Sequence, residues 1–114
     1  MNDGGIRAAL RNLRTLAAVR MATTLSDGEL LGRFVETHDE AAFTALVERH
    51  GPMVLRVCRR VLGHAQDAED ACQATFLVLV RKAASVRKRG SVASWLYGVA
   101  YRTARKLQAS RARQ

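Results

Sequence analysis

Apolar residues recur at helical spacing along almost the whole sequence, and a single proline, Pro52, stands against them. With one Pro and eight Gly the chain lacks the turn punctuation that β-sandwiches and barrels need, so an all-α fold is expected. At 114 residues and 48% hydrophobic content it can bury one core. The expectation is a compact bundle of four to five helices, and a multidomain enzyme is excluded.

The helices can be placed from their caps. Residues 5–20 space Ile6, Leu10, Leu13 and Ala17 at helical intervals with Arg7, Arg11 and Arg14 one position on, a basic amphipathic extension that occupies residues 1–24 with its linker. Ser26 with Glu29 three residues later is a capping box, and Leu30, Leu31, Phe34 and Val35 follow as an apolar face. Thr37 and Glu40 repeat the same arrangement ahead of Ala42, Phe43, Leu46 and Val47. Gly51 and Pro52 then predict a kink or break, with a new stretch from Pro52 that ends at Gly63. A further helix is expected from about residue 64 to 85, burying Ala68, Ala71, Cys72, Phe76, Leu79, Val80 and Ala83. Residues 85–91 read as an exposed basic loop, Ser91 as the cap of a last helix with Trp95 on its apolar side, and residues 109–114 as a frayed end.

Charge is distributed unevenly along this series. Residues 1–25 carry +3, residues 26–51 carry −4, residues 52–80 are neutral, and residues 81–114 hold ten Lys/Arg and no acid. Such a chain is bipolar: one part suits a protein surface, the other a phosphate backbone.

Groups for catalysis are sparse. His38, His50 and His64 fall at expected caps or helix ends, and no glycine-rich phosphate loop or paired metal motif appears. Cys58 and Cys72 lie in different apolar segments and form no CxxC pair, so they read as buried thiols of a reducing cytoplasm. No apolar run approaches a membrane span and nothing resembles a signal-peptide core, so a cytoplasmic, non-catalytic protein without cofactor or metal is expected.

Two constellations remain. Asp67, Asp70 and Gln73, three apart, with Phe76 facing inward, form a strip that suits docking on a basic protein helix; the same acids equally complement a helix dipole. From residue 81 to 113, ten cations are interleaved with Trp95, Tyr97 and Tyr101, the combination of phosphate-tracking charges and base-receiving rings that single-stranded nucleic acid requires.

From residue 39 to 113 the sequence resembles region 2 of the sigma-70 family of bacterial RNA polymerase initiation factors, in its extracytoplasmic-function (ECF) branch. The residues that carry this are Asp-Glu-Ala-Ala-Phe at 39–43, Gly51 and Pro52 ahead of Arg-Arg-Val-Leu-Gly at 59–63, Asp-Ala-Glu-Asp-Ala-Cys-Gln-Ala-Thr-Phe-Leu-Val-Leu at 67–79, and Ser-Trp-Leu-Tyr-Gly-Val-Ala at 94–100. Leu-Ser-Asp-Gly-Glu-Leu-Leu-Gly-Arg-Phe at 25–34 is similar to the family's N-terminal helix.

The resemblance implies that residues 25–113 form the region 2 domain. It implies that the helix at 66–84 docks on the clamp helices of the largest polymerase subunit through Asp67, Asp70, Gln73 and Phe76. It implies that the loop and last helix capture the non-template single strand of the minus-ten promoter element. Arg87, Lys88, Arg89, Ser91, Trp95, Tyr101, Arg102, Arg105 and Lys106 are the residues expected to contact DNA, with an anti-sigma factor as a further partner. Many members carry an Asn after the Trp-Leu-Tyr block and an Asp four residues on; here Tyr101, Arg102 and Lys106 stand at or beside those positions. The family's second, helix-turn-helix domain, which reads the minus-thirty-five element, has no counterpart within these residues. Two other readings stay open: a general coating protein for single strands, and a protein-interaction module held by an anti-sigma partner or by a membrane surface at residues 5–20.

Overall fold

The computed structural model describes Arg20, residues 24–87 and residues 90–113. Residues 1–19, which hold all but Arg20 of the helix expected at 5–20, lie outside the described residues, as do Lys88 and Arg89. Among the described residues four helices run at full length, α1 (Asp27–Thr37), α2 (Glu40–Leu62), α3 (Ala65–Arg87) and α4 (Val92–Ala112), and there is no strand. The all-α bundle is as expected.

Capping chemistry sets most boundaries. Ser26 Oγ accepts from the Glu29 amide at 3.1 Å while Glu29 Oε1 accepts from the Ser26 amide at 3.2 Å, so two otherwise orphaned donors are satisfied reciprocally. The second capping box is corrected: Asp39 caps α2, accepting from the Ala42 amide at 3.2 Å. Thr37 instead ends α1, its hydroxyl donating to the Arg33 carbonyl, and His38 closes the helix in the left-handed region at φ 53°. The two-residue connection, His38 and Asp39, serves as the C-cap of α1 and the N-cap of α2, so Thr37 stays within α1. Gly63, at φ 66°, ends α2 where only glycine is free of Cβ strain.

The break expected at Gly51 and Pro52 does not occur, because α2 runs through both. Proline there removes one backbone donor and crowds the carbonyl of residue 48. The flanking turns are held by buried Leu46, His50, Val54, Val57 and Cys58, so tertiary packing outweighs local propensity. Two other boundaries move. Arg87 belongs to α3, with Val86 1% exposed beneath it, so the expected loop at 85–91 shrinks to the residues after 87. Residues 109–112 remain helical, and Arg111 reaches back to Asp67 at 3.1 Å.

The core lies where α2 and α3 meet each other and the remaining helices, with Leu30, Leu31, Leu46, Leu79 and Leu96 fully buried. Buried Thr75 donates to the Ala71 carbonyl at 2.8 Å, so its hydroxyl needs no partner from another helix. Gln108 on α4 donates to the Val61 carbonyl at 2.9 Å, satisfying one of the terminal carbonyls of α2.

α1 is fastened to α2 by a charged cluster. Asp27 accepts from Arg49 at 2.8 Å and lies 2.8 Å from His50 Nε2, and Arg49 also donates to the Leu25 carbonyl at 2.9 Å. His50 is thus no helix-end residue but a buried side chain in the middle of α2. Burial works to raise the Asp27 pKa, but the hydrogen bonds from His50 and Arg49 outweigh it and hold the carboxyl below its ordinary value of 3.8. A depressed carboxyl stabilises the fold above the unfolded value and loses that contribution as pH falls through the folded one. In thermal melts, Asp27→Asn should therefore be less stable than the unaltered chain at neutral pH, with the gap closing as the pH drops below 3.8; a gap independent of pH would contradict the assignment.

Candidate functional site

Residue periodicity determines which side chains of α3 act together. Three-residue steps fall short of a full turn by about 60°, so Asp67, Asp70 and Gln73 spiral around the helix. They form no single strip. Asp67 is bonded to Arg111 of α4, and Asp70, which accepts from Gln66 at 3.2 Å, lines a cleft with Thr103 and Lys106 of α4. Gln73 lies on another side of the helix, beside Phe76 and Leu77.

That side is apolar and open. Leu77 is 58% exposed and Val80 43%, so Val80 is not the core residue the sequence suggested. Together with Phe76 they border a groove of about 360 Å³ whose opposite wall is Phe43, Val47 and Gly51 of α2. A mostly polar domain surface that presents two large aliphatic side chains at one groove has the character of a protein-binding site. Periodicity alone could not reveal it: Leu77, Val78, Leu79 and Val80 form a continuous apolar run, and such a run points in every direction around a helix.

The cations occupy other sides of the bundle. Along α4, Trp95, Arg102 and Lys106 fall within about 20° of one line, so Arg102 and Lys106 share the side of Trp95 rather than opposing it. Trp95 is half-buried, packed against the core at one edge and forming a wall of two adjoining pockets at the other. It stands on the apolar side of α4 as expected, and its place near the first turn, facing α3, leaves part of the side chain open. One pocket, about 320 Å³, is lined by Lys82 and Ser85 of α3 and Arg102 and Thr103 of α4. The other, about 310 Å³, is lined by Ser91, Ser94, Gly98 and Arg102. Ser91 Oγ caps α4 by accepting from the Ser94 amide at 3.2 Å.

Tyr101 and Arg105 form an adjacent stripe. Tyr97 and Tyr101 are 50% and 46% exposed, and the Arg105 guanidinium stands 6.0 Å from the centre of the Tyr101 ring, near the outer limit of a cation–π contact. Arg87 is engaged elsewhere: it pairs with Glu36 at 2.9 Å, and its guanidinium lies against Gly32 of α1, where a Cβ would come within 3.2 Å. Structure thus brings Ser91, Trp95 and Arg102 together, sets Tyr101 and Arg105 beside them, and turns Arg87 toward α1.

Burial pushes the Cys58 thiol up to about 11, with the neighbouring Cys72 adding to it, and burial followed by the charge of Glu69 raises Cys72. No group of three His, Cys, Asp or Glu gathers at a metal-binding distance among the described residues, and none of their helices is long and apolar enough to cross a membrane.

The described surface thus carries an exposed aliphatic groove on one side and a ring-and-guanidinium cleft on another. The family described as Sigma-70 region 2 matches residues 46–114, which is more than half of the chain. The chain belongs to the sigma-70 family. It is similar to the RNA polymerase sigma-H factor of Pseudomonas aeruginosa, 31% identical over 94 residues, an alignment that takes in 82% of this chain and 48% of that protein. The chain therefore spans about half the length of the curated relative it matches. No solved structure matches. Within this sigma-70 domain the family match begins at Leu46, inside α2, and takes in both the groove-bearing face of α3 and the whole of α4.

Proposed function

We propose that this sigma-70 region 2 domain serves transcription initiation as a two-sided adaptor of the ECF type, joining core RNA polymerase to the melted non-template strand of the minus-ten promoter element. The observation that carries this reading is the separation of its two surfaces. The apolar groove at Gln73, Phe76, Leu77 and Val80 lies between α2 and α3, while the cationic cleft at Trp95 and Arg102 lies between α3 and α4.

On the polymerase side, the clamp helices of the largest subunit would bury Leu77 and Val80, with Gln73 and Phe76 beside them. Asp67 and Asp70 lie one to two turns toward the start of α3, where they meet basic groups at the edge of the contact. On the DNA side, Arg102, Arg105 and Lys106, with Lys88 and Arg89 before α4, track phosphates, and Trp95 and Tyr101 receive unstacked bases. Extruding a base costs a few kcal/mol of stacking, which these contacts must offset. The chemistry is capture without covalent change.

A single-stranded non-template oligonucleotide should bind with affinity that falls linearly in log–log form with salt, at a slope of about 0.7 per phosphate neutralised. Fluorescence anisotropy from low to physiological salt measures it. A flat salt response would contradict phosphate tracking. Charge reversal at Asp70 together with Gln73→Glu should weaken association with core polymerase at unchanged helicity; unaltered binding would leave Asp70 only its service to the helix dipole and Gln73 no part in the contact.

A further inference from the structure

The groove between α2 and α3 has an apolar floor and an acid at each end. On α3, Glu69 precedes Phe76 by seven residues, which places it within about 20° of the same line, one turn beyond Cys72. Its charge is felt at the Cys72 thiol. On α2, Glu40 precedes Val47 by seven residues and so continues the other wall past Phe43. Both carboxylates are exposed, and none of the ion pairs among the described residues uses them. Such a groove fits a helix with one apolar stripe flanked by cations.

The chain itself contains that chemistry at residues 5–20. On a helix, Ile6, Leu10, Leu13 and Ala17 fall within about 60° of one another and extend over about 16 Å, enough to cover the roughly 12 Å of wall from Cys72 to Val80. Arg7, Arg11 and Arg14 flank the stripe, and Asp3 is the one acid before Asp27. The chain also enters the fold near the groove: the Leu25 carbonyl accepts from Arg49, two residues from Gly51 on α2. Eight peptide steps from Ala17 to Leu25 reach about 27 Å, ample to round a helix about 10–12 Å across.

We propose that residues 5–20 occupy this groove of their own chain as an amphipathic helix, stripe against Phe76, Leu77 and Val80 and arginines toward Glu40 and Glu69, and that polymerase must displace them to bind there. The second half rests on the polymerase-facing reading of the groove; the docking itself does not. A tethered segment meets its groove at a millimolar effective concentration, far above that of a second copy in solution. An intrinsic dissociation constant of about 0.1 mM then leaves the groove about 90% filled, and a competitor binds about tenfold more weakly.

Cys72 reports occupancy, because it lines the groove whereas Cys58 is buried in the core. The full chain and its Leu10→Glu, Leu13→Glu variant are alkylated with iodoacetamide, and each cysteine is followed by peptide mass spectrometry. Cys72 should react about tenfold faster in the variant, Cys58 should stay slow in both, and protection in the unaltered chain should not depend on protein concentration. Equal Cys72 rates overturn the inference, as does protection that grows with protein concentration, the mark of a second copy in the groove. Were Cys58 to speed up as well, the variant would be unfolding, and Arg7→Ala, Arg11→Ala, Arg14→Ala decides by the same criterion. Titration with core polymerase separates the two readings: release of the segment should tighten binding about tenfold. Faster Cys72 alkylation with unchanged polymerase affinity would keep the segment in its groove and remove the groove from the polymerase contact.

Discussion

Leu77→Asp is expected to weaken association with core RNA polymerase by about 30-fold or more, the loss of a central interface anchor worth about 2 kcal/mol. The same substitution should leave the fold nearly untouched. Leu77 is 58% exposed and contributes nothing to the buried core, so the domain loses only the difference in helix propensity between Leu and Asp, roughly 0.5 kcal/mol. A carboxylate at that point would be carried into the floor of an apolar contact with no cation on the groove walls of Phe43, Val47 and Phe76 to receive it. Equilibrium titration with labelled core polymerase, beside a circular dichroism melt, separates the two effects. Retained binding would remove the groove from the polymerase contact.

The opposite behaviour is expected at Leu46. This side chain is fully buried in the first third of α2, the helix that packs against the other three described helices. Leu46→Ala leaves a cavity that four converging helices cannot close, at a cost of about 3 kcal/mol. Small domains hold about 5–10 kcal/mol in total, so a melting temperature lower by roughly 15 °C follows. Leu46→Met, which keeps the volume, should recover most of it. Polymerase and DNA binding should then fall together in the alanine variant in proportion to the unfolded fraction, a pattern distinct from the selective loss at Leu77.

Much of the fold was legible because it depends on local rules. The capping box at Ser26 and Glu29, the left-handed Gly63 and the Ser91 cap each satisfy backbone groups within a few residues, and all three stand where the sequence put them. What was misread depends on contacts distant in sequence. Pro52 lies inside α2 because buried side chains on both flanks keep the helix going, a tertiary effect that no proline rule contains. His50 looked like a helix-end residue until Asp27, 23 positions away, was found bonded to it.

The candidate site divides along the same line. Residue types suggested a nucleic-acid face, since residues 81–114 hold ten cations and no acid, although Arg87 and Arg111 find acids on other helices. Helical spacing alone puts Arg102 and Lys106 on the side of Trp95, whereas the pocket that Arg102 and Trp95 share with Lys82 and Ser85 needs the packing of α4 against α3. The groove at Leu77 and Val80 was hidden by its own composition, an apolar run that looked like core and proved half open.

The central claim is that two separable surfaces serve two partners, and one crossed measurement tests it most directly. Leu77→Asp and the combined Arg102→Ala, Arg105→Ala, Lys106→Ala variant are each titrated with core polymerase and with a single-stranded non-template oligonucleotide. The account predicts that the first loses polymerase and keeps the oligonucleotide, whereas the second keeps polymerase and loses the oligonucleotide. Loss of both partners in either well-folded variant, or of neither in both, would contradict it.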